Sequence, residues 1–290
     1  MPMTASIGAL STFKNNANTN LRPGSHYLDV ISGPSFNVGF QVLPVSGSGT
    51  TFKEIQQTPG YTLEYRVYFA NLEGPGTGSG PQCIGNFNPG AQGNWYIYVN
   101  EPSHPLANRI TIYFRPTSGS GNTYTFVSDL TLGTNAWTAI AMTMVNNGTN
   151  SELRLYVNGT LRDTRGSNGT GLAQSVQTFP TADIVGGQAN KQFWFHPANQ
   201  TPSQELYYDE VRISNVARYT GTSYSLATQP FVSDSDTQLL LHFDFDIRYP
   251  TTLYPVANRA PYITDYSSYE NIVPSNVGLP GIQALTPRVF

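Results

Sequence analysis

His242, Asp244 and Asp246 are spaced two residues apart, and of all the ionisable residues in this chain they are the best arranged for chemistry. If residues 236–246 form a strand, the three share one face at about 7 Å per pair. Two carboxylates so placed could flank a glycosidic bond, where retaining hydrolysis needs roughly 5 Å between them. The same pattern describes a solvated strand face whose acids do nothing but meet water. A second acidic group, Glu205, Asp209 and Glu210, is less apt. Glu205 and Asp209 share strand parity at about 13 Å, while Asp209 and Glu210 are expected on opposite faces and so cannot act together. Asp209 is then expected beside Val211 and Ile213, accepting backbone hydrogen bonds at the core edge.

Other chemistries lack their residues. His26, His104, His196 and His242 are dispersed, and the sequence contains neither a Gly-x-Ser-x-Gly elbow nor a phosphate loop ending in Gly-Lys-Ser/Thr. Cys83 is the single cysteine, which excludes an intramolecular disulfide and a cysteine-clustered zinc site. With a net charge of −3 and lysine only at positions 14, 53 and 191, no basic surface is available to neutralise many phosphates. Nucleic acid is therefore not an expected partner. The amino terminus has neither a basic start nor a continuous apolar segment, and no run of about 18 apolar residues occurs, so no signal peptide or membrane span is expected. Asn147, Asn158, Asn168 and Asn199 fit the glycosylation sequon, but three of the four are Asn-Gly pairs, which read as turns.

The elements that would position these residues are strands. Charged residues make up 11% of the chain, it holds 27 glycines and 21 prolines, and no long 3.6-residue period runs through it; all three argue against helices. Residues 137–145 form an extended apolar run. In residues 153–159, Leu153, Leu155 and Val157 alternate with polar partners, and Asn158-Gly159 then reverses the chain as a hairpin. Residues 61–69 alternate, with Leu63, Tyr65, Val67 and Phe69 inward and Glu64, Arg66 and Tyr68 outward. Further strands are expected at 27–31, 37–43, 95–99, 109–115, 124–127, 183–187, 206–214 and 236–246, with Ile110, Ile112 and Phe114 facing the core and Asp236 to Asp246 closing the sheet. The glycine-rich residues 74–81 read as a loop.

In order, a Trp-led strand (Trp137), Leu-Arg-Leu-Tyr-Val-Asn-Gly at 153–159, Ile-Val-Gly-Gly at 184–187 and Asp-Glu-Val-Arg-Ile-Ser at 209–214 resemble the laminin G-like, concanavalin A-like jelly rolls. Residues 61–69 are similar to a further strand of that family. The resemblance covers roughly a third of the chain and implies an all-β, antiparallel two-sheet jelly-roll sandwich over residues 26–246. A polar, Asn-rich arm over 1–25 and a Pro/Tyr-rich arm over 247–290 would flank it, the latter with neither helix nor central strand because of its prolines.

The longer block formed by residues 209–220, Phe231 and residues 234–244 resembles jelly-roll modules of bacteriophage tail and other virion surface proteins. It implies a non-enzymatic structural protein of a phage particle, such as a capsid decoration or cement protein or a tail fibre component. Such a protein would be made in the host cytoplasm and located in the virion. It would assemble through its arms with capsid or tail proteins and with copies of itself. Jelly-roll relatives also bind sugars, on loop ends or a concave face, which implies a carbohydrate-binding adhesin as the alternative. Trp95, Tyr96, Trp194, Phe195 and His196 are its candidate contacts, although aromatics fill cores and interfaces as well. The glutamates of the family's glucanases are absent around His242, so no catalytic residues and no enzyme activity are expected. Laminin G-like relatives often bind calcium through loop carboxylates, for which Asp163, Asp234 and Asp236 are the candidates here; otherwise no cofactor is expected.

Overall fold

A computed structural model describes residues 59–69, 72, 84, 97–100, 105–113, 124–166, 172–181 and 208–242, together with the backbone of 28–31, 40–42, 82–83, 85–86, 95–96, 114, 193–195, 205–207, 247–248, 262–263 and 273–274. Among these residues every element is a strand, and none forms a helix long and apolar enough to cross a membrane. The strands are β1 (Leu28–Ile31), β2 (Phe40–Val42), β3 (Gly60–Phe69), β4 (Gln82–Asn86), β5 (Trp95–Val99), β6 (Arg109–Phe114), β7 (Tyr124–Thr131), β8 (Trp137–Asn146), β9 (Asn150–Val157) and β10 (Thr160–Arg162). They continue as β11 (Thr164–Gly166), β12 (Ala173–Gln174), β13 (Gln177–Pro180), β14 (Phe193–Phe195), β15 (Glu205–Ser214), β16 (Thr237–Leu241), β17 (Ile247–Arg248), β18 (Tyr262–Ile263) and β19 (Val273–Pro274).

Strands β1 to β16 build two antiparallel eight-stranded sheets. Sheet A runs β1-β15-β3-β8-β9-β10, with β16 beside β1 along the edge of β15 and β13 beside β10 along β9. Sheet B runs β12-β11-β7-β6-β5-β4-β14-β2. The expected sandwich is therefore present. Leu63, Tyr65 and Val67 of β3, Ile140, Met142 and Met144 of β8, and Val211 and Ile213 of β15 meet Ile84, Ile97, Ile110, Ile112 and Phe126 of sheet B in one core. Alternation along each strand sends these residues to one side, so burial follows from the two-residue period.

The Asn158-Gly159 reversal is a two-residue hairpin between β9 and β10, with φ of 51° and 76°, as a right-twisted ladder requires. Asn158 closes it by accepting the Ala139 N–H on Oδ1 at 2.9 Å. A Cβ on Gly159 would lie 2.5 Å from the Tyr224 carbonyl oxygen, so this position demands glycine twice over.

One expectation for the ends of the chain needs adjusting. Residues 247–290, expected to hold no central strand, contain a small sheet in which β18 pairs with both β17 and β19. Pro274 sits on its edge strand, where a missing N–H is tolerated. Residues 1–25 and the strand expected at 183–187 lie outside the described residues.

Candidate functional site

The acidic residues come first, since they were the candidates for catalysis. Sheet A does not leave its outer face to water. Residues 215–236, which follow β15, cross that face as a strap, and the side chains expected outward on β3 are buried under it: Glu64 and Arg66 are each 1% exposed. Beneath the strap β8 presents Ala139 and Ala141, whose small side chains leave room for a second layer, and this explains why residues 137–145 are apolar on both faces. The strap is fastened along its length. Thr62 Oγ1 donates to the Val216 carbonyl at 2.7 Å and accepts from Arg218 N at 2.9 Å, and Tyr156 donates its hydroxyl to the Gly221 carbonyl at 2.8 Å. Phe231 lies 4.3 Å from the Arg212 guanidinium, a cation–π contact.

The charges of the Asp-Glu-Val-Arg-Ile-Ser segment all serve this layer. β15 carries one extra residue between Asp209, which pairs with Arg66, and Arg212, which pairs with Glu64. This bulge corrects the sequence expectation. Strict alternation put Asp209 beside Val211 and Ile213 and opposite to Glu210, but the extra residue shifts parity, so Asp209 and Arg212 both take the strap side while Tyr208 and Val211 both enter the core. Glu210 sits at the bulge with φ of 51° and no solvent exposure. Its Oε2 accepts the Phe231 N–H at 2.7 Å and its Oε1 lies 2.8 Å from His242 Nδ1. Glu64 binds Arg212 at 2.6 Å and accepts the Tyr219 hydroxyl at 2.5 Å. Burial, and then the Glu64 carboxylate, push the Tyr219 phenol far above its ordinary range. The Glu64 and Glu210 carboxylates are each held by fixed partners inside the protein, which suits cohesion and not proton transfer to a substrate. Asp244 and Asp246, the rest of the expected His242 constellation, lie outside the described residues.

The calcium candidates are described in full. Asp234 Oδ1 accepts from Arg218 Nη2 at 2.7 Å, Thr237 Oγ1 at 2.7 Å and Asp236 N at 3.1 Å. The Arg218 hydrogen bond is the main reason its carboxyl is held well below the usual aspartate range. Asp163 accepts the Ser175 hydroxyl at 2.7 Å. Among the described residues no three His, Cys, Asp or Glu side chains converge on a point that could hold a metal ion. The stabilising effect of Asp234 is present above its unfolded pKa of about 3.9 and lost as pH falls through its lower folded value. Because the side chain is 43% exposed, Asp234→Asn is expected to cost less than about 1 kcal/mol at neutral pH. The Tm difference from the parent should shrink as the solution is acidified below the ordinary aspartate range; a difference independent of pH would refute the ion pair's role.

Sheet B offers a different surface. On the face turned from the core, one row of register runs Gln41, Trp194, Gly85, Tyr96, Tyr113, Thr125 across β2, β14, β4, β5, β6 and β7. Gly85 has no side chain, so the row reads as one aromatic position, 194, separated by a gap from two adjacent ones, 96 and 113, with 194 and 96 about 9.5 Å apart across two strand spacings. The neighbouring row on that face holds Tyr98, Thr111, Val127 and Arg165. There a fixed polar chain runs from the Tyr98 hydroxyl, hydrogen-bonded to Thr111, through Thr111 Oγ1 donating to Asn100 Oδ1 at 2.9 Å, to Asn100 Nδ2 donating to the Leu106 carbonyl at 2.9 Å. Burial raises the Tyr98 phenol. Thr111, Thr125 and Val127 of these rows are buried, Tyr98 and Tyr113 are half-buried, and Arg165 is exposed.

The five aromatic candidates are thus divided. Positions 96 and 194 share the row away from the core. Position 95 pairs with Asn86 and Phe114, and position 195 with Ile84, in rows on the core side. His196 lies outside the described residues. Tyr98 and Tyr113, which sequence reading missed as candidates, join positions 96 and 194; the signal was their parity with Tyr96 across β5 and β6.

A family model described as "Concanavalin A-like lectin/glucanases superfamily" matches residues 47–222. No curated protein matches the sequence. Among solved structures, a candidate carbohydrate-binding protein from Bacteroides ovatus superposes with a TM-score of 0.46 at 16% identity, covering 90% of this chain; the chain spans 61% of that protein's length. The CBM40 of a Ruminococcus gnavus sialidase, bound to sialyllactose, gives 0.36 at 15% identity, covering 62% of this chain and 90% of its own. A tailspike protein of an Escherichia coli O157:H7 bacteriophage gives 0.29 at 12%, covering 67% and 26%. Likenesses this distant carry no argument about what the chain binds.

Proposed function

From the premise that the chain belongs to the concanavalin A-like lectin/glucanase superfamily, we propose that it is a non-catalytic glycan-binding module whose ligand lies on the face of sheet B turned from the core. The observation that carries this reading is the row Trp194, Gly85, Tyr96, Tyr113, flanked by the Tyr98–Thr111–Asn100 chain. Aromatic positions on either side of a side-chain-free residue suit the apolar faces of pyranose rings, and the half-buried Tyr98, positioned by the buried Thr111 and Asn100, offers a phenol to their rims. The described acids, by contrast, are mostly taken up by the strap, which is why a binding role is preferred to hydrolysis. A glycan array followed by titration tests this. Trp194→Ala and Tyr96→Ala should each weaken binding about tenfold, the order that a stacking contact of about 1–1.5 kcal/mol supplies. An array without hits, or affinity unchanged in both variants, would overturn it.

The second reading is a structural protein of a phage particle, assembling through residues 1–25 and 247–290 with other virion proteins and with copies of itself. Its support is the sequence block from Asp209 to Asp244. The described part of that block is β15, the strap and β16, so its residue types already have a cohesive role inside the chain. It ranks second for that reason. Copurification of the protein with particles would raise it above the first reading; a protein that stays monomeric and never associates with particles would remove it.

A further inference from the structure

The sequence holds three Asn-Gly-Thr triplets, at Asn147, Asn158 and Asn168, that are chemically equivalent in an unfolded chain. The fold makes two of them very different, and Asn168 falls outside the described residues. We infer that Asn147 is a site of spontaneous deamidation in the folded protein and that Asn158 is protected from it. In this reaction the backbone nitrogen of the following glycine bonds to the asparagine Cγ and loses its proton, the carboxamide nitrogen leaves as ammonia, and a cyclic succinimide forms. Water then opens the ring to aspartate or isoaspartate. No electrons are exchanged, and water is the one co-reactant. The step requires that the asparagine side chain rotate freely and that the glycine nitrogen be able to swing toward it.

Asn147 meets both requirements. It lies in the short turn between β8 and β9, where Asn147, Gly148 and Thr149 are all exposed. Its Oδ1 accepts a hydrogen bond from Asn150 N at 3.0 Å and its own N–H donates to the Asn150 carbonyl at 3.0 Å, but both partners sit in the exposed turn, where water can replace them, and neither ties Asn147 to another strand of the sheet. Gly148 has φ of 94°, and the direction in which a Cβ would point is empty to 4 Å. The turn is tied at Thr149, whose carbonyl accepts Thr181 N at 2.9 Å, one residue beyond the reacting atoms.

Asn158 meets neither. Its Oδ1 is held by Ala139 N at 2.9 Å, and its own N–H donates to the Ala139 carbonyl at 2.8 Å, which fastens it from both sides to β8 in the middle of sheet A. Gly159 is buried, its carbonyl accepts Tyr224 N at 2.8 Å, and the Tyr224 carbonyl and Leu226 close the space around its Cα. Moving the Gly159 nitrogen toward the Asn158 side chain would disrupt the hairpin and lift the strap at Tyr224, so the reaction there waits on local unfolding.

The full chain, held in warm, mildly alkaline buffer and sampled over time, is digested and mapped by mass spectrometry with isoaspartate detection. The Asn147 peptide should acquire the amide-to-acid mass shift and an isoaspartyl fraction at least about tenfold faster than the Asn158 peptide, as expected when one site is open and the other needs local unfolding. In concentrated urea the two rates should converge, because the triplets are then equivalent. Equal rates in the folded protein, or an Asn147 that stays intact when folded yet reacts in urea, would overturn the assignment.

Discussion

Glu64→Ala is expected to destabilise the protein by about 3–5 kcal/mol, the cost of removing one partner from a buried ion pair. Glu64 is 1% exposed, lies in the middle of β3 and is bonded to Arg212 at 2.6 Å and to the Tyr219 hydroxyl at 2.5 Å, with Arg218 Nε at 4.0 Å. Without it the largely covered Arg212 charge is left with the Phe231 ring and the Val232 carbonyl at 3.4 Å, neither of which is an anion, and the strap loses its anchor at Tyr219. Urea unfolding measures the effect as a lower midpoint at unchanged slope. Glu64→Gln separates charge from shape. It can still accept the Tyr219 hydroxyl but leaves Arg212 uncompensated, so most of the loss should persist. A loss below about 1 kcal/mol in both variants, typical of an exposed pair, would show that the strap does not depend on this network.

Glu210→Ala is expected to cost a similar amount, about 3–5 kcal/mol, since its carboxylate is fully buried between the Phe231 N–H and His242. The comparison with Glu210→Gly is the more telling one. Both variants lose the two carboxylate contacts, but the left-handed backbone at φ 51° strains alanine and not glycine, so glycine should be the more stable by about 1–2 kcal/mol. That order reverses the usual helix and strand preference, in which alanine beats glycine by roughly 0.5–1 kcal/mol. If alanine proved the more stable, the bulge would not have the conformation described here.

Much of the fold could be read along the chain because its signals are local. The period of two in β3, β6 and β9 was legible, and so was the Asn158-Gly159 turn, whose positive φ angles only a few residue types accept. The strands at 82–86 and 177–180 were not. Gln82–Asn86 carries Cys83 and Gly85, and Gln177–Pro180 ends in proline, so neither has the apolar alternation that marks a strand; both exist because a neighbouring strand supplies the pairing. The candidate site was half legible. Aromatic residues could be named as candidates, but which of them share a face depended on the strand register, and Tyr98 and Tyr113 emerged once the register of β5 on β6 was known.

Composition and alternation therefore determined the all-β class of the protein, the Asn158-Gly159 hairpin and the absence of the residue sets that most hydrolases and nucleotide enzymes need, while its two-layer body was implied by the family resemblance. Tertiary structure decided what the charged residues are for. Glu64 and Arg66 have the spacing of a solvated strand face, and no local rule distinguishes such a face from one covered by a segment about 150 residues further along the chain. Likewise the single extra residue in β15 reverses the side on which Asp209 falls, and a bulge is set by pairing with β3 and not by the residues of β15. Polarity is a property of each side chain, whereas exposure depends on what the rest of the chain lays over it.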